Sequence, residues 1–155
     1  MGGGNMISAL NVGNNILERG FTEDIDITPM KLQKLIYLVY KRYYKEHSKT
    51  LFSEPFEVWK YGPVVRSVYD KFKNFGANSI KKYAEEPDGS ILIVNEEKSE
   101  PFKEALDYVW EKYKYYDGIP LSEMTHRKGT AWWKAAKKGA MYLDNKDIYE
   151  EENFV

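Results

Sequence analysis

The chain contains no cysteine, which excludes disulfides, thiol nucleophiles and Cys-ligated zinc and is compatible with a reducing cytosol. Histidine occurs only twice, as His47 and His126, and neither sits in HExxH or any other pair with metal-ligand spacing. No GxSxG, Walker A or GxGxxG pattern occurs. Gly2 to Gly4 have no preceding strand and no following lysine, so they form a flexible start and not a phosphate cradle. No apolar run approaches the roughly 20 residues that cross a bilayer. Met1-Gly2-Gly3-Gly4-Asn5 lacks the basic and apolar regions of a signal peptide, and Met6 stands where a myristoylation signal has Ser or Thr. The net charge of −1 supplies no global pull toward nucleic acid or anionic membrane. These absences lead to the expectation of a cytoplasmic, non-enzymatic protein with no metal, no cofactor, no membrane partner and no small-molecule substrate.

What is present is aromatic: 13 Tyr, 4 Trp and 7 Phe in 155 residues. Tyr and Trp join an apolar body to a polar tip, so they suit protein interfaces as well as half-buried core positions. The length fits one domain able to bury a real core. No internal repeat or long linker divides it, so residues 1–155 read as one domain, with a flexible 1–5 and an acidic segment at 144–155.

Periodicity places helices along most of the chain. Ile7, Leu10, Ile16 and Leu17 share one face of a helix over Met6 to Arg19, which Gly20 is placed to close. Thr28-Pro29 reads as an N-cap followed by the first helical residue. Leu32, Leu35, Ile36, Val39 and Tyr43 then draw an apolar stripe to about Glu46. Phe56-Glu57-Val58-Trp59 alternates as a short strand does, Gly62-Pro63 signals a turn, and Val65, Val68, Tyr69 and Phe72 restore helical spacing up to Gly76. Ile91-Leu92-Ile93-Val94 reads as a buried or edge strand pairing with the Val58 segment. A helix opens at Ser99-Glu100-Pro101 and carries Phe102, Leu106, Val109, Trp110 and Tyr113, with Gly118 past its end. Shorter helices follow at Pro120–His126, Thr130–Lys138 and Lys146–Glu152, and the acidic close is a frayed helix or a solvated tail. The expected fold is mainly α, a compact single-domain helical bundle with a small two-stranded β-ribbon.

Two clusters raise functional alternatives. Between Lys31 and Lys49, six basic residues face Glu46 alone, and Lys31, Lys34, Lys41 and Lys45 fall on one helical stripe. Such a stripe is a phosphate-tracking face or the charged outside of an amphipathic helix. DNA binding by an autoregulator is therefore an alternative, although no base-reading element accompanies the stripe. His126 is a candidate general base or a hydrogen-bonding residue at a helix end.

Four ordered blocks carry a family resemblance. Thr28-Pro29-Met30-Lys31-Leu32-Gln33-Lys34-Leu35-Ile36-Tyr37 resembles a "TPLKLQKLLY" helix, and Phe56-Glu57-Val58-Trp59-Lys60-Tyr61-Gly62-Pro63-Val64 resembles an "FEAWKYGPV" turn. Val68-Tyr69 with Phe72 and Gly76 follows. Leu121-Ser122, Thr125-His126, Gly129 and Trp132 are similar to "LSxxTH…G…W". Ala9, Val12, Asn14 or Asn15, and Ile16-Leu17 match an opening helix. The chain thereby resembles the Panacea domain, also described as the SocA-like or phage-associated antitoxin family. The resemblance implies an antitoxin, commonly encoded beside its toxin and often in prophages, that neutralises the toxin by direct binding. One branch acts instead as an adaptor delivering its toxin to a protease. Aromatic surface also allows a homodimer. The partner-contact set expected on this reading is Trp59, Lys60, Tyr61, Pro63, Arg66, His126 and Trp133, with Lys31, Lys34 and Lys41. Trp132 is assigned to the scaffold, because adjacent helical positions point about 100° apart.

Overall fold

The computed structural model describes residues 6–154; the expectation for residues 1–5 lies outside the described residues. Seven α-helices and one hairpin follow in order: α1 (Ala9–Glu23), α2 (Pro29–His47), β1 (Glu57–Trp59), β2 (Gly62–Val64), α3 (Arg66–Phe72), α4 (Glu100–Tyr113), α5 (Gly118–His126), α6 (Ala131–Lys137) and α7 (Asn145–Glu150). The mainly helical class with a two-stranded ribbon is the observed one.

Helix α2 is the axis. Thr28 caps it by accepting a hydrogen bond from the Lys31 amide, Pro29 opens it, and left-handed Ser48 closes it. Every residue from Lys31 to Lys41 is buried, because α1, α4, α5, α3, α7 and the hairpin all pack against this helix. Leu32, Leu35, Ile36 and Val39 meet the buried Val12, Ile16, Leu106, Val109 and Leu121 in one continuous core. Such a helix has no wet face, so its polar residues require partners inside the protein.

Those partners are backbone groups of distant segments. Lys31 Nζ donates to the Lys114 carbonyl at 2.5 Å, Lys34 Nζ to Pro63 at 2.9 Å, and Lys41 Nζ to Glu152 at 2.5 Å. Gln33 holds both backbone groups of Val65, accepting from its amide at 2.9 Å and donating to its carbonyl at 3.1 Å. The stripe expected to face solvent is thus turned inward, since the helix is surrounded.

The segment expected as a strand at Ile91–Val94 has no ladder partner. Two buried asparagines of α1 grip it instead. Asn15 accepts from the Val94 amide at 2.7 Å and donates to its carbonyl at 3.0 Å. Asn14 does the same to Ala84 and also donates to the Leu92 carbonyl. With its backbone satisfied by side-chain amides, the segment runs along α1, and Ile91, Leu92 and Ile93 are 49%, 48% and 44% exposed. The true partner of β1 is β2, and the other edge of β1 meets residues 141–143 through Val58 N to Met141 O and Leu143 N to Phe56 O.

Two glycines have other duties than those expected. Helix α1 continues through Gly20 to a left-handed Asp24; a Cβ at Gly20 would lie 2.6 Å from Ile27 Cδ1, so the glycine admits the returning chain. Gly118 opens α5, and a Cβ there would lie 3.2 Å from Met30 Cβ on α2.

The acidic close is neither frayed nor solvated at its centre. Glu151 is 4% exposed. Its Oε1 accepts from the Tyr37 hydroxyl at 2.9 Å and from the Ala131 amide at the start of α6 at 2.8 Å, while Oε2 lies 2.9 Å from Lys41 Nζ. Burial and the neighbouring carboxylate push the Tyr37 hydroxyl well above its ordinary pKa, so it stays a donor. Breaking a buried charge pair by removing one partner typically costs about 3–5 kcal/mol. Glu151→Ala should accordingly lower unfolding stability by about that amount in urea titration followed by Trp fluorescence; a loss under about 1 kcal/mol would show that Lys41 finds another counter-charge.

Candidate functional site

The hairpin is short, so its position depends on what pins it. Trp59 pairs with Gly62, which leaves Lys60 and Tyr61 as the two turn residues, two positions earlier than the Gly62-Pro63 turn expected from sequence. Gly62 takes a φ of 116°, and a Cβ there would meet Thr125 Oγ1 at 3.1 Å and Lys34 Nζ at 3.2 Å. Glycine is required twice over, by the backbone conformation and by the close approach.

Four side chains from three helices fasten this turn. Lys34 and Gln33 of α2 bind Pro63 and Val65, Ser122 of α5 donates to the Tyr61 carbonyl, and Trp132 of α6 donates through Nε1 to the Trp59 carbonyl at 2.8 Å. His126 packs edge-on against Trp132 with centroids 5.1 Å apart, and its Nδ1 contacts the Ser122 carbonyl. His126 therefore lies behind the hairpin among supporting residues.

The front of the hairpin is different. Trp59 Nε1 donates to Glu57, the Trp59 ring meets Tyr69 at 4.6 Å, and the Arg66 guanidinium lies 4.9 Å from the Trp59 ring centroid while pairing with Glu57 at 3.1 Å. Hydrogen bonds from Arg66 and Trp59 hold the Glu57 carboxyl below its usual range. Tyr61 is 54% exposed, and Lys60 Nζ lies 5.4 Å from its ring centroid.

Between hairpin, α2 and α3 lies a groove of about 440 Å³, mostly apolar. Helix α2 contributes Met30, Gln33 and Lys34, the hairpin Trp59, Lys60, Tyr61 and Val64, and α3 with its following turn Val68, Tyr69, Phe72 and Lys73. No carboxylate lines it.

Of the residues singled out from sequence, Trp59, Lys60, Tyr61 and Lys34 converge on this groove; Pro63 and Arg66 adjoin it through Lys34 and Trp59. Trp133 does not line it: half-buried on α6, it lies beneath Lys137 at 4.7 Å. Trp132 packs against the core, as a scaffold residue does. Lys31 and Lys41 sit elsewhere on α2, each 4% exposed, so the basic stripe offers no continuous phosphate-tracking face. Gln33, Ser122, Met30 and Tyr69 lie in the blocks that carry the family resemblance but were not assigned to the contact set; membership of those blocks was the available signal.

Lys34 is the anomaly of the site. It is 2% exposed, has one hydrogen bond and no counter-ion among the described residues, and burial pulls its amine from 10.5 down to about 7. Between those values the unfolded chain binds a proton that the folded protein does not, so stability rises with pH there. From pH 7 to pH 9 the gain from this residue is about 2–3 kcal/mol at roughly 1.4 kcal/mol per unit. Lys34→Met should remove that increment from the pH profile of urea unfolding and raise stability below pH 7; an unchanged profile would place the titration elsewhere. Gly62→Ala should cost about 1–3 kcal/mol from the strained φ, read as a lowered thermal midpoint.

Comparison with known proteins adds a family to this geometry. Residues 32–133 match the model of the "Antitoxin SocA-like, Panacea domain" family, a span that holds the hairpin and most of the groove. The chain is 29% identical over 129 residues to Antitoxin SocA of Caulobacter vibrioides (strain NA1000 / CB15N), covering 81% of this chain and 69% of that protein. No solved structure matches. The family match spans well over half of the chain, and the protein belongs to the SocA-like antitoxins of the Panacea domain.

Proposed function

We propose that this chain is the non-catalytic antitoxin of a toxin–antitoxin pair, acting in the cytoplasm by binding its toxin directly, with the groove beside the hairpin as the centre of contact. The observation that carries this reading is the combination of a rigidly pinned hairpin with an apolar groove whose rim exposes Tyr61 and Tyr69. Interfaces draw most of their energy from a few aromatic anchors in pre-organised pockets. A hairpin held by Gln33, Lys34, Ser122 and Trp132 presents those anchors without an ordering cost at the moment of binding. Membership of an antitoxin family and similarity to a protein named Antitoxin SocA support the partner's being a toxin.

The test is co-expression with the product of the adjacent reading frame, read by growth and by co-purification. Rescued growth with a stable complex is expected. The double variant Tyr61→Ala/Tyr69→Ala should weaken the complex by about 2 kcal/mol or more, and loss of the Tyr69 ring contact with Trp59 should lower stability by about 1 kcal/mol. Trp133→Ala, outside the groove, should have the smaller effect and so mark the limit of the contact. Rescue without a complex would overturn sequestration in favour of toxin delivery to a protease, and neither rescue nor complex would overturn the antitoxin reading for this pair.

A further inference from the structure

The groove has an electrostatic character that aromatic anchoring does not explain. Three lysines line it, one on each of its walls: Lys34 on α2, Lys60 on the hairpin and Lys73 after α3. Among the described residues Lys60 has no carboxylate partner, and Lys73 has Asp70 at 3.9 Å, both members of that pair half exposed. Lys34 is the telling member. An ammonium group has three donors, and this one uses a single hydrogen bond, to the Pro63 carbonyl, while buried against Gly62 and Thr125 with no acid beside it.

The other buried lysine of α2 at the far end shows the alternative. Lys41 faces Glu151 at 2.9 Å and the Glu152 carbonyl, and Lys45 donates to two carbonyls. Burial lowers the Lys31 pKa as well, and that amine also has a single acceptor, but Asp117 and Asp26 oppose the shift there. Among the described residues of α2, Lys34 is the buried amine with one acceptor and no acid opposing its desolvation. Burying an amine without a partner costs stability whether it keeps its proton or gives it up, and such a group on a surface groove is a candidate for a partner that arrives from outside.

Resting on the reading of this groove as the toxin contact, we propose that its occupant is an acidic peptide segment of the partner: an apolar side chain seated among Met30, Val64, Val68 and Phe72, with an adjacent Asp or Glu carboxylate meeting Lys34 and further acids meeting Lys60 and Lys73. Cations on three separate elements, with no acid in the lining, match a segment bearing more than one carboxylate better than a single terminal one. Desolvation inside the groove makes each such contact stronger than on an open surface. A purely apolar segment, by contrast, would bury the Lys34 ammonium further and gain nothing for it.

The site can be probed without the toxin. The probes are two blocked peptides, acetyl-Gly-Glu-Leu-Asp-Glu-Gly-amide and its Gln-Leu-Asn-Gln counterpart, titrated into the full chain and followed by NMR of the Trp59 indole N–H and the Lys34 Cε signals. The acidic peptide should shift both signals and bind at least about tenfold tighter than the amide peptide. Lys34→Met, which leaves the protein folded and more stable at neutral pH, should remove most of that discrimination, whereas Lys34→Arg should retain part of it. Equal binding of the two peptides, binding without a shift at Lys34, or no binding at all would overturn the proposal. In parallel, Lys34→Met should dissociate the co-expressed toxin complex at least about tenfold faster. If no toxin complex forms with the unaltered chain while the acidic peptide still discriminates, the toxin assignment fails and the groove chemistry stands.

Discussion

The structure depends on a helix that has no outside. Helix α2 is surrounded by five helices and the hairpin, yet it carries Lys31, Gln33, Lys34 and Lys41 in the stretch where every residue is buried. Each of these side chains must recover inside the protein what water would have given it. The consequence is that α2 organises the fold by hydrogen bonds as well as by its Leu, Ile and Val contacts: each of these four side chains reaches the backbone of a segment outside the helices and fixes it. The α4–α5 connection, the hairpin and the C-terminal segment are all located this way, through Lys114, Pro63 and Glu152.

A second device repeats at three places. The carboxamides of Asn14, Asn15 and Gln33 each hold the amide and carbonyl of a single residue, Ala84, Val94 and Val65 respectively. A side-chain amide offers the same donor and acceptor as a peptide unit, so it can stand in for a neighbouring strand. This is how a chain with only one hairpin among its described residues accommodates long non-helical runs against helices without leaving their buried groups unsatisfied. It also leaves the hairpin precisely supported where the groove needs it.

Helix positions were legible from sequence because they follow from local rules: Thr28-Pro29 at the start of α2 and Phe102, Leu106, Val109, Trp110 and Tyr113 along α4 act through neighbours three and four residues away. The misplaced features all turn on distant contacts. Ile91–Val94 has the composition of a strand, and only the presence of Asn14 and Asn15 some seventy-five to eighty positions earlier removes its need for one. The lysine stripe of α2 looks solvated because charge usually is; nothing local announces that Pro63, Lys114 and Glu152 lie against it. The site was half visible. Trp59, Lys60 and Tyr61 were identified with the motif that forms the hairpin, while Met30, Gln33 and Tyr69 join them only through the packing of α2 and α3.

The arrangement around Glu151 has a bearing on biosynthesis. Tyr37 and Glu151 are separated by 114 residues, and at about 5–20 residues per second their meeting is delayed by on the order of ten seconds after Tyr37 is made. Until then Lys41 has no carboxylate, and the N-terminus of α6 lacks its acceptor. The Lys41–Glu151 pair can therefore close only after all seven helices of the described residues have been made, and the core around Lys41 is the last part of α2 to mature.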